Sequence, residues 1–341
     1  MSRALIIGIT GQDGFYLTKL LLSLGYVVHG VVRRNSRNNT QHLQQFFDRI
    51  TLHYGDLSDQ DGLSRIVAMV EPTEVYNLGA MSDVAVSFDI PEYTADVDGI
   101  GVLRVLNAVR LYQNITNKLV KVYQASTSEL FGNSPAPQNE LTPFNPRSPY
   151  ACAKLYGYNI IRNYRESYGM FACNGILFNH ESPMRGAEFV TRKITLGIAN
   201  ICAGKSDEVV LGNLNSIRDW GHAEDYVRAM YLMLQQDTPD DYVISTGNSM
   251  TIRDFASTAF GYAGIKLNWV GKGVSEVGVD QNGTVRVRVD SRFFRPSEVN
   301  FLCGDSEYAR KALGWQPQVS QNDLIKEMVE HDLRQATKNN N

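Results

Sequence analysis

Cysteine is scarce in this chain of 341 residues, and what there is lies scattered. Cys152, Cys173, Cys202 and Cys303 show no metal-binding spacing and no disulfide framework. They read as reduced, mostly buried thiols of a cytoplasmic protein. The six histidines include no HExxH pair, so no metal site is expected. Long apolar runs are missing too: none approaches the ~20 residues that span a bilayer. The first apolar run turns into a glycine loop after a few residues, unlike a signal peptide. A basic excess is also absent, with 33 Lys and Arg against 36 Asp and Glu and a net charge of −3. No nucleic-acid partner and no membrane are therefore expected, and an anionic ligand must be held by a local cationic pocket.

What the chain does have is a globular composition, 43% hydrophobic and 20% charged, and a regular alternation of patterns. Apolar strands are expected at 4–7, 26–32, 51–54, 74–77, 120–125 and 171–178. Helical patterns fall between them at 15–24, 58–70, 91–111 and 149–168, with Ser58 and Asp61 spaced as a capping box. Repeated strand–helix order implies an α/β fold, a doubly wound parallel sheet of Rossmann-like form. Beyond about residue 180 the pattern loosens. Helices are expected at 190–203, 223–235, 306–313 and 320–337, and Asn282-Gly283 marks a hairpin turn into a strand at 285–289. The reading is a dinucleotide-binding domain at 1–180 and a smaller α+β substrate domain at 181–338, some of whose segments return to the first.

Gly8, Gly11 and Gly14 follow the first strand and open the first helix. This spacing variant of the dinucleotide fingerprint lets backbone approach a pyrophosphate that faces a helix N-terminus. An ordinary glycine turn is the alternative. The second strand ends in Arg33-Arg34-Asn35-Ser36 and offers no acid to ribose hydroxyls, which favours NADP over NAD. A solvated basic loop is the plainer reading of the same residues.

Tyr150 and Lys154 stand four apart on an expected helix and share a face. An ammonium near a phenol favours the phenolate, and such a pair can take a proton from an alcohol while hydride leaves the adjacent carbon. Thr127 and Glu129 follow the fifth strand. Oxidation alone gives Glu129 no work, so a second reaction is expected, unless both residues only cap the turn.

With these residues in place, the chain resembles the extended short-chain dehydrogenase/reductases, and among them the GDP-mannose 4,6-dehydratases. The resemblance runs in order through Gly8-Ile-Thr-Gly-Gln-Asp-Gly14, Gln124-Ala-Ser-Thr-Ser-Glu129, Gly175-Ile-Leu-Phe-Asn-His-Glu-Ser182, Phe189-Val-Thr-Arg-Lys193 and Arg218-Asp-Trp-Gly-His222. It implies that Gly8, Thr10, Gly11, Gln12, Asp13 and Gly14 hold the NADP pyrophosphate. Arg33, Arg34, Asn35 and Ser36 would meet the 2′-phosphate, and Asp56 and Leu57 the adenine. Leu78, Gly79, Ala80, Ser82 and Tyr93 would border ribose and nicotinamide, with Tyr150, Lys154, His180 and Arg185 completing that site. Asn179, Val190, Lys193, Arg218, Arg295 and Glu298 match positions of the sugar-nucleotide pocket, which Thr127, Glu129 and Tyr150 would complete.

The implied reaction is an internal redox elimination that converts GDP-mannose to its 4-keto-6-deoxy form. Tyr150 takes the O4 proton, Glu129 the C5 proton, and water leaves C6 beside Thr127. Other readings are dehydration of a related GDP-sugar such as a GDP-manno-heptose, an epimerase or reductase of the same fold, or a non-catalytic NADP sensor. One departure from the family pattern is Asp83, where His is common; its carboxylate would bond a substrate hydroxyl or sit in water. The resemblance also implies a homodimer or homotetramer.

Overall fold

The computed structural model describes residues 2–34 and 40–338. Strands β1 (Arg3–Ile7), β2 (Val27–Val32), β3 (Ile50–Tyr54), β4 (Glu74–Asn77), β5 (Lys121–Ala125) and β6 (Ala172–Leu177) lie in one parallel sheet. The later part of the chain adds β7 (Asn179–Glu181), β8 (Val209–Leu211) and β9 (Ile217–His222), then β10 (Asp241–Ile244), which returns to that sheet. Its order is β10-β6-β5-β4-β1-β2-β3, parallel at every pairing. The chain winds outward both ways from β1 and β4, so their carboxyl ends open the crevice where doubly wound sheets bind ligands. β4 and β6 are buried along their whole length, as strands covered on both faces must be.

Helix α1 (Gln12–Ser23) packs on one face of the sheet, α2 (Gln60–Val70) on the other. Asp59 caps α2 by accepting from the Gly62 amide. The expected cap, Ser58, instead donates both N–H and Oγ to Asp56. The single helix expected at 91–111 is three pieces: α3 (Val86–Asp89) precedes α4 (Pro91–Ala95), then a π-turn spans Asp96–Ile100, and α5 (Gly101–Thr116) follows. The extra residue in that turn re-aims the side chains, so Ile100 is exposed while Asp98 is buried. Gly101 lets the end of that turn pack on Leu57, which a Cβ there would meet at 2.9 Å. Helix α6 (Pro149–Tyr168) matches its expected bounds; Ser148 caps it through the Ala151 amide, and Pro149 takes the first position.

The remaining helices are α7 (Val190–Cys202), α8 (Ala223–Leu234), α9 (Ile252–Tyr262), α10 (Glu307–Leu313) and α11 (Gln321–Lys338). Strand β11 (Ser249–Thr251) pairs with β9, which pairs with β7. Strands β12 (Asn268–Val270), β13 (Val277–Val279) and β14 (Val285–Val289) form a small sheet with β8, and the expected hairpin turn at Asn282-Gly283 joins β13 to β14. Ile198, Phe255, Phe260, Val287 and Met328 make the core between α7, α9, α11 and that sheet. Only Cys173 is buried; Cys152 and Cys202 are exposed and Cys303 is half-buried, against the expectation of mostly buried thiols. Their helix positions explain it: Cys152 falls on the outer face of α6, and Cys202 ends α7. Among the described residues no helix is long and apolar enough to cross a membrane.

The turn from β1 to α1 tolerates no side chain at Gly14, whose Cβ would lie 2.3 Å from the Ile9 carbonyl oxygen. Gly14→Ala is expected to cost roughly 1–3 kcal/mol by forcing backbone to move. Thermal melting checks this: an unchanged Tm would mean that the turn is not close-packed.

Candidate active site

One cleft of about 710 Å³ opens over the carboxyl ends of β1, β4, β5 and β6. Gly8 (φ +84°) turns the chain there, and a Cβ on it would strike the Gly79 amide at 2.8 Å. Gly11, Gln12, Asp13 and Gly14 line the same end, with the N-terminus of α1 facing in. Leu78, Ala80 and Ser82 form the opposite wall.

Beneath the glycine loop lies a polar seam. His180 on β7 points Nε2 at Asp13 Oδ2 (2.8 Å) and Nδ1 at the Phe178 carbonyl (2.9 Å). With Asp13 ionised both partners are acceptors, so the two contacts are both hydrogen bonds when the imidazole is protonated. Burial alone would lower the His180 pKa, but the Asp13 charge and hydrogen bond raise it above its ordinary value. Asp13 is shifted the other way: burial would raise it, and His180 holds it below the usual carboxylate value. Gln12 donates to the His180 carbonyl (3.0 Å) and accepts from Ser182 Oγ (2.7 Å).

Tyr150, Lys154, Thr127 and Glu129 meet in the middle of the cleft. β5 delivers Thr127, whose Oγ1 accepts from the Glu129 amide (3.2 Å) and also serves the Tyr150 phenol. Thr127 therefore caps its turn and still faces the cleft; the two readings of it do not compete. The first turn of α6 presents Tyr150. One turn on, Lys154 donates to the Ala125 carbonyl (3.1 Å), with Nζ 5.7 Å from the Tyr150 ring centre. The expected lowering of the phenol's pKa is not found. Burial pushes Tyr150 up, nearby Asp98 and Glu129 push the same way, and only Thr127 and Arg185 oppose them. Burial likewise lowers Lys154, which Asp98 partly offsets.

Asp98 was not singled out from the sequence. The π-turn buries it; Oδ1 accepts from the Met81 amide (2.7 Å), and burial raises its pKa to about 6 against the pull of Lys154. The one signal was an acid within an apolar helical pattern.

Cations gather at the far end. Arg218 is buried, with Nη2 3.5 Å from Glu298 Oε1, and Arg295 Nη1 lies 3.5 Å from Glu129 Oε1. Burial lowers the Arg218 pKa. Lys193 Nζ stands 3.5 Å from the centre of the Phe293 ring, and burial lowers its pKa against the pull of Asp290. Asn179, Val190, His180 and Arg185 line the cleft as well, as do Phe189 and Glu181, which were not singled out.

Seven expected residues lie outside this enclosed space: Thr10, Arg33, Arg34, Gly79, Asp56, Leu57 and Tyr93. The loops after β2 and β3 carry Arg33, Arg34 and Asp56, and Arg33 donates to the Tyr93 hydroxyl. Asn35 and Ser36 fall outside the described residues. Asp83 lines the cleft, yet its Oδ1 already accepts from the Ala85 (2.9 Å) and Val86 (3.1 Å) amides. Among the described residues no group of three or more His, Cys, Asp or Glu side chains could hold a metal ion.

Fold and cleft together describe a doubly wound α/β protein with acid–base groups beside a dinucleotide-type glycine loop. The model of the GDP-mannose 4,6 dehydratase family matches residues 5–328, and the chain belongs to that family. It is 54% identical over 340 residues to GDP-mannose 4,6 dehydratase 2 of Caenorhabditis elegans, covering 97% of this chain and 88% of that one. It is also 54% identical to GDP-mannose 4,6-dehydratase of Sinorhizobium fredii, covering 97% and 96%. Among solved structures, UDP-glucose 4-epimerase of Thermotoga maritima shares the fold, with TM-score 0.81 at 22% identity and coverage of 98% and 99%.

The Asp13–His180 pair carries a pH signature. A raised imidazole pKa stabilises the fold below the ordinary 6.5, and this is lost as pH rises through the folded value. A lowered carboxylate stabilises above the ordinary 3.8 and is lost as pH falls through its folded value. The Tm gap between wild type and His180→Gln should therefore be widest between those two ordinary values and shrink toward alkaline pH. Melting curves across pH test it; a gap independent of pH would leave the pair without charge.

Proposed function

We propose that this protein is a GDP-mannose 4,6-dehydratase that works with NADP. The observation carrying the reading is the convergence of Thr127, Glu129, Tyr150 and Lys154 in one cleft, in a chain of that family. The glycine cradle fits a dinucleotide: Gly8 leaves no room for a Cβ, and the N-terminus of α1 and the His180 cation suit a pyrophosphate. When bound, NADP would supply hydride chemistry, accepting from sugar C4 and returning to C6.

The chain's own residues do the proton work. Tyr150 takes the O4 proton. Because burial opposes its ionisation, that role depends on the groups that favour the phenolate, the Thr127 hydroxyl and the Arg185 cation. Once C4 is a ketone the C5 hydrogen becomes acidic, and Glu129 removes it. The protonated Glu129 then gives a proton to the departing C6 hydroxyl, while Thr127 orients the reacting centre. As hydride would return to C6, C5 takes up a proton, balanced by the one Tyr150 took from O4, and the phenolate is restored. Arg218, Arg295 and Lys193 offer the diphosphate three cations. An epimerase or reductase would use Tyr150 and Lys154 but leave Glu129 idle.

Residues 1–180 are read as the dinucleotide-binding part and 181–338 as mainly the sugar-nucleotide part, with β10 returning to the first. The Arg33-Arg34 pair supports NADP, and four unpaired cysteines suit the cytoplasm. Ile100 of the π-turn, Leu111 and Ile115 of α5, and Tyr156 and Tyr168 of α6 expose apolar surface, which supports a homodimer or homotetramer.

Incubation with GDP-mannose should give a product lighter by one water; an epimer, or no change, would refute the reading. Glu129→Gln is expected to slow elimination ~10²–10⁴-fold while solvent deuterium no longer enters C5, and Tyr150→Phe to block the first step. Wild type should bind NADP more tightly than NAD. Replacing Arg33 and Arg34 by Ala should narrow that preference, each charge-assisted contact being worth about 1.5–3 kcal/mol. Equal affinity of the wild type for both dinucleotides would overturn the cofactor assignment.

A further inference from the structure

The segment that joins the two ends of the cleft holds a carboxylate to which neither chemistry nor ligand binding has given a task. Glu181 ends β7, is 2% exposed, and borders the cleft. One of its oxygens, Oε2, does two things at once. It accepts a hydrogen bond of 2.6 Å from Thr191 Oγ1, in the first turn of α7. It also lies 3.0 Å from Arg185 Nε, an ion pair whose angle is too bent for a hydrogen bond. Arg185 in turn stacks its guanidinium 3.5 Å from the centre of the Phe189 ring, immediately before α7.

The neighbours of Glu181 on either side are tied elsewhere. His180 and Ser182 bond Asp13 and Gln12 of the glycine loop. Three consecutive residues therefore grip both ends of the cleft: 180 and 182 hold the dinucleotide end, and 181 holds the helix carrying Val190 and Lys193. With Nε facing Glu181 and one face on Phe189, Arg185 can offer only its terminal amino groups to a ligand. A guanidinium without this carboxylate would have no fixed direction, and α7 would lose the buried bond that sets its first turn.

We propose that Glu181 is a positioning residue that couples occupancy of the dinucleotide end of the cleft to affinity at the nucleoside-diphosphate end. This rests on the function proposed above and goes beyond it. A ligand on the glycine loop bears on Asp13 and Gln12, which His180 and Ser182 bond, and so restrains 180–182 further. Through Glu181 that restraint holds the start of α7, with Val190 and Lys193, before the second ligand arrives, so the second ligand pays less to organise its site. Coupling of this kind is reciprocal: each ligand tightens the other by the same factor.

The test is calorimetric titration of the full chain with GDP, with and without saturating NADPH, and the converse titration. Wild type should bind GDP at least about 5-fold more tightly when NADPH is bound, with the same factor in reverse. Glu181→Gln and Thr191→Val should bring that factor to within about twofold, and Thr191→Ser, which keeps the hydroxyl, should restore it. A merely structural role would lower Tm and leave the ratio of affinities intact, so melting curves accompany each variant. If folded Glu181→Gln and Thr191→Val both keep the wild-type factor, or if the wild-type factor is one, the proposal fails alone. If wild type binds neither GDP nor NADPH, it fails together with the proposed function.

Discussion

The salt-bridged hydrogen bond between Asp13 and His180 is the contact on which the cleft depends. It fastens the loop after the first strand to a strand 167 residues further on, and both partners are largely withdrawn from water. Each group alone would be costly to bury in its charged form; together they satisfy one another. His180 also stacks on Tyr226 of α8, with ring centres 4.4 Å apart, so the pair is braced from the side. Everything beyond it inherits its position: Glu181 and Ser182 by chain, Arg185 and α7 by contact.

Around that anchor the site is built from charges that the interior disfavours. Lys154, Asp98 and Arg218 are all buried, and burial shifts each toward its neutral form. Such clustering of perturbed groups is what an acid–base site requires, and it distinguishes this cleft from the rest of the surface. The cation pairs on Glu129 and Glu298 matter in the same way: Arg295 and Arg218 already stand opposite carboxylates. An anionic ligand must compete for them, so affinity there reflects a difference between two sets of contacts.

What could be read from the sequence follows how local each signal was. The Gly8 loop, the Tyr150/Lys154 spacing and α6 with its Ser148 cap all rest on residues within a few positions of each other, and the structure has them as expected. Arg218, Arg295 and Glu298 carried no local signal; only resemblance to a family brought them into view. Glu181 lies within a segment that carries the resemblance, yet neither it nor Asp98 is given a role by it, because their meaning lies in partners elsewhere, Met81 for Asp98 and Thr191 with Arg185 for Glu181. β9 was missed because its buried residues include Arg218, Asp219 and His222, which break any apolar alternation. The phenol's pKa went the wrong way because spacing shows a neighbouring charge but not the water that burial removes.

The place of β10 at the edge of the large sheet has a consequence for how this chain can be made and cut. β6 pairs on one side with β5, but its other side is covered only by residues that follow some sixty positions later. During synthesis the first six strands emerge with an apolar, unpaired edge that must wait for β7 to β9 and α8 to be threaded first. Pairing of such separated segments is slow to form, and an open edge is a template for another chain. A fragment ending at residue 180 would keep the glycine loop and the Tyr150/Lys154 turn yet present β6 bare. The molecule therefore cannot be cut there without baring a strand edge.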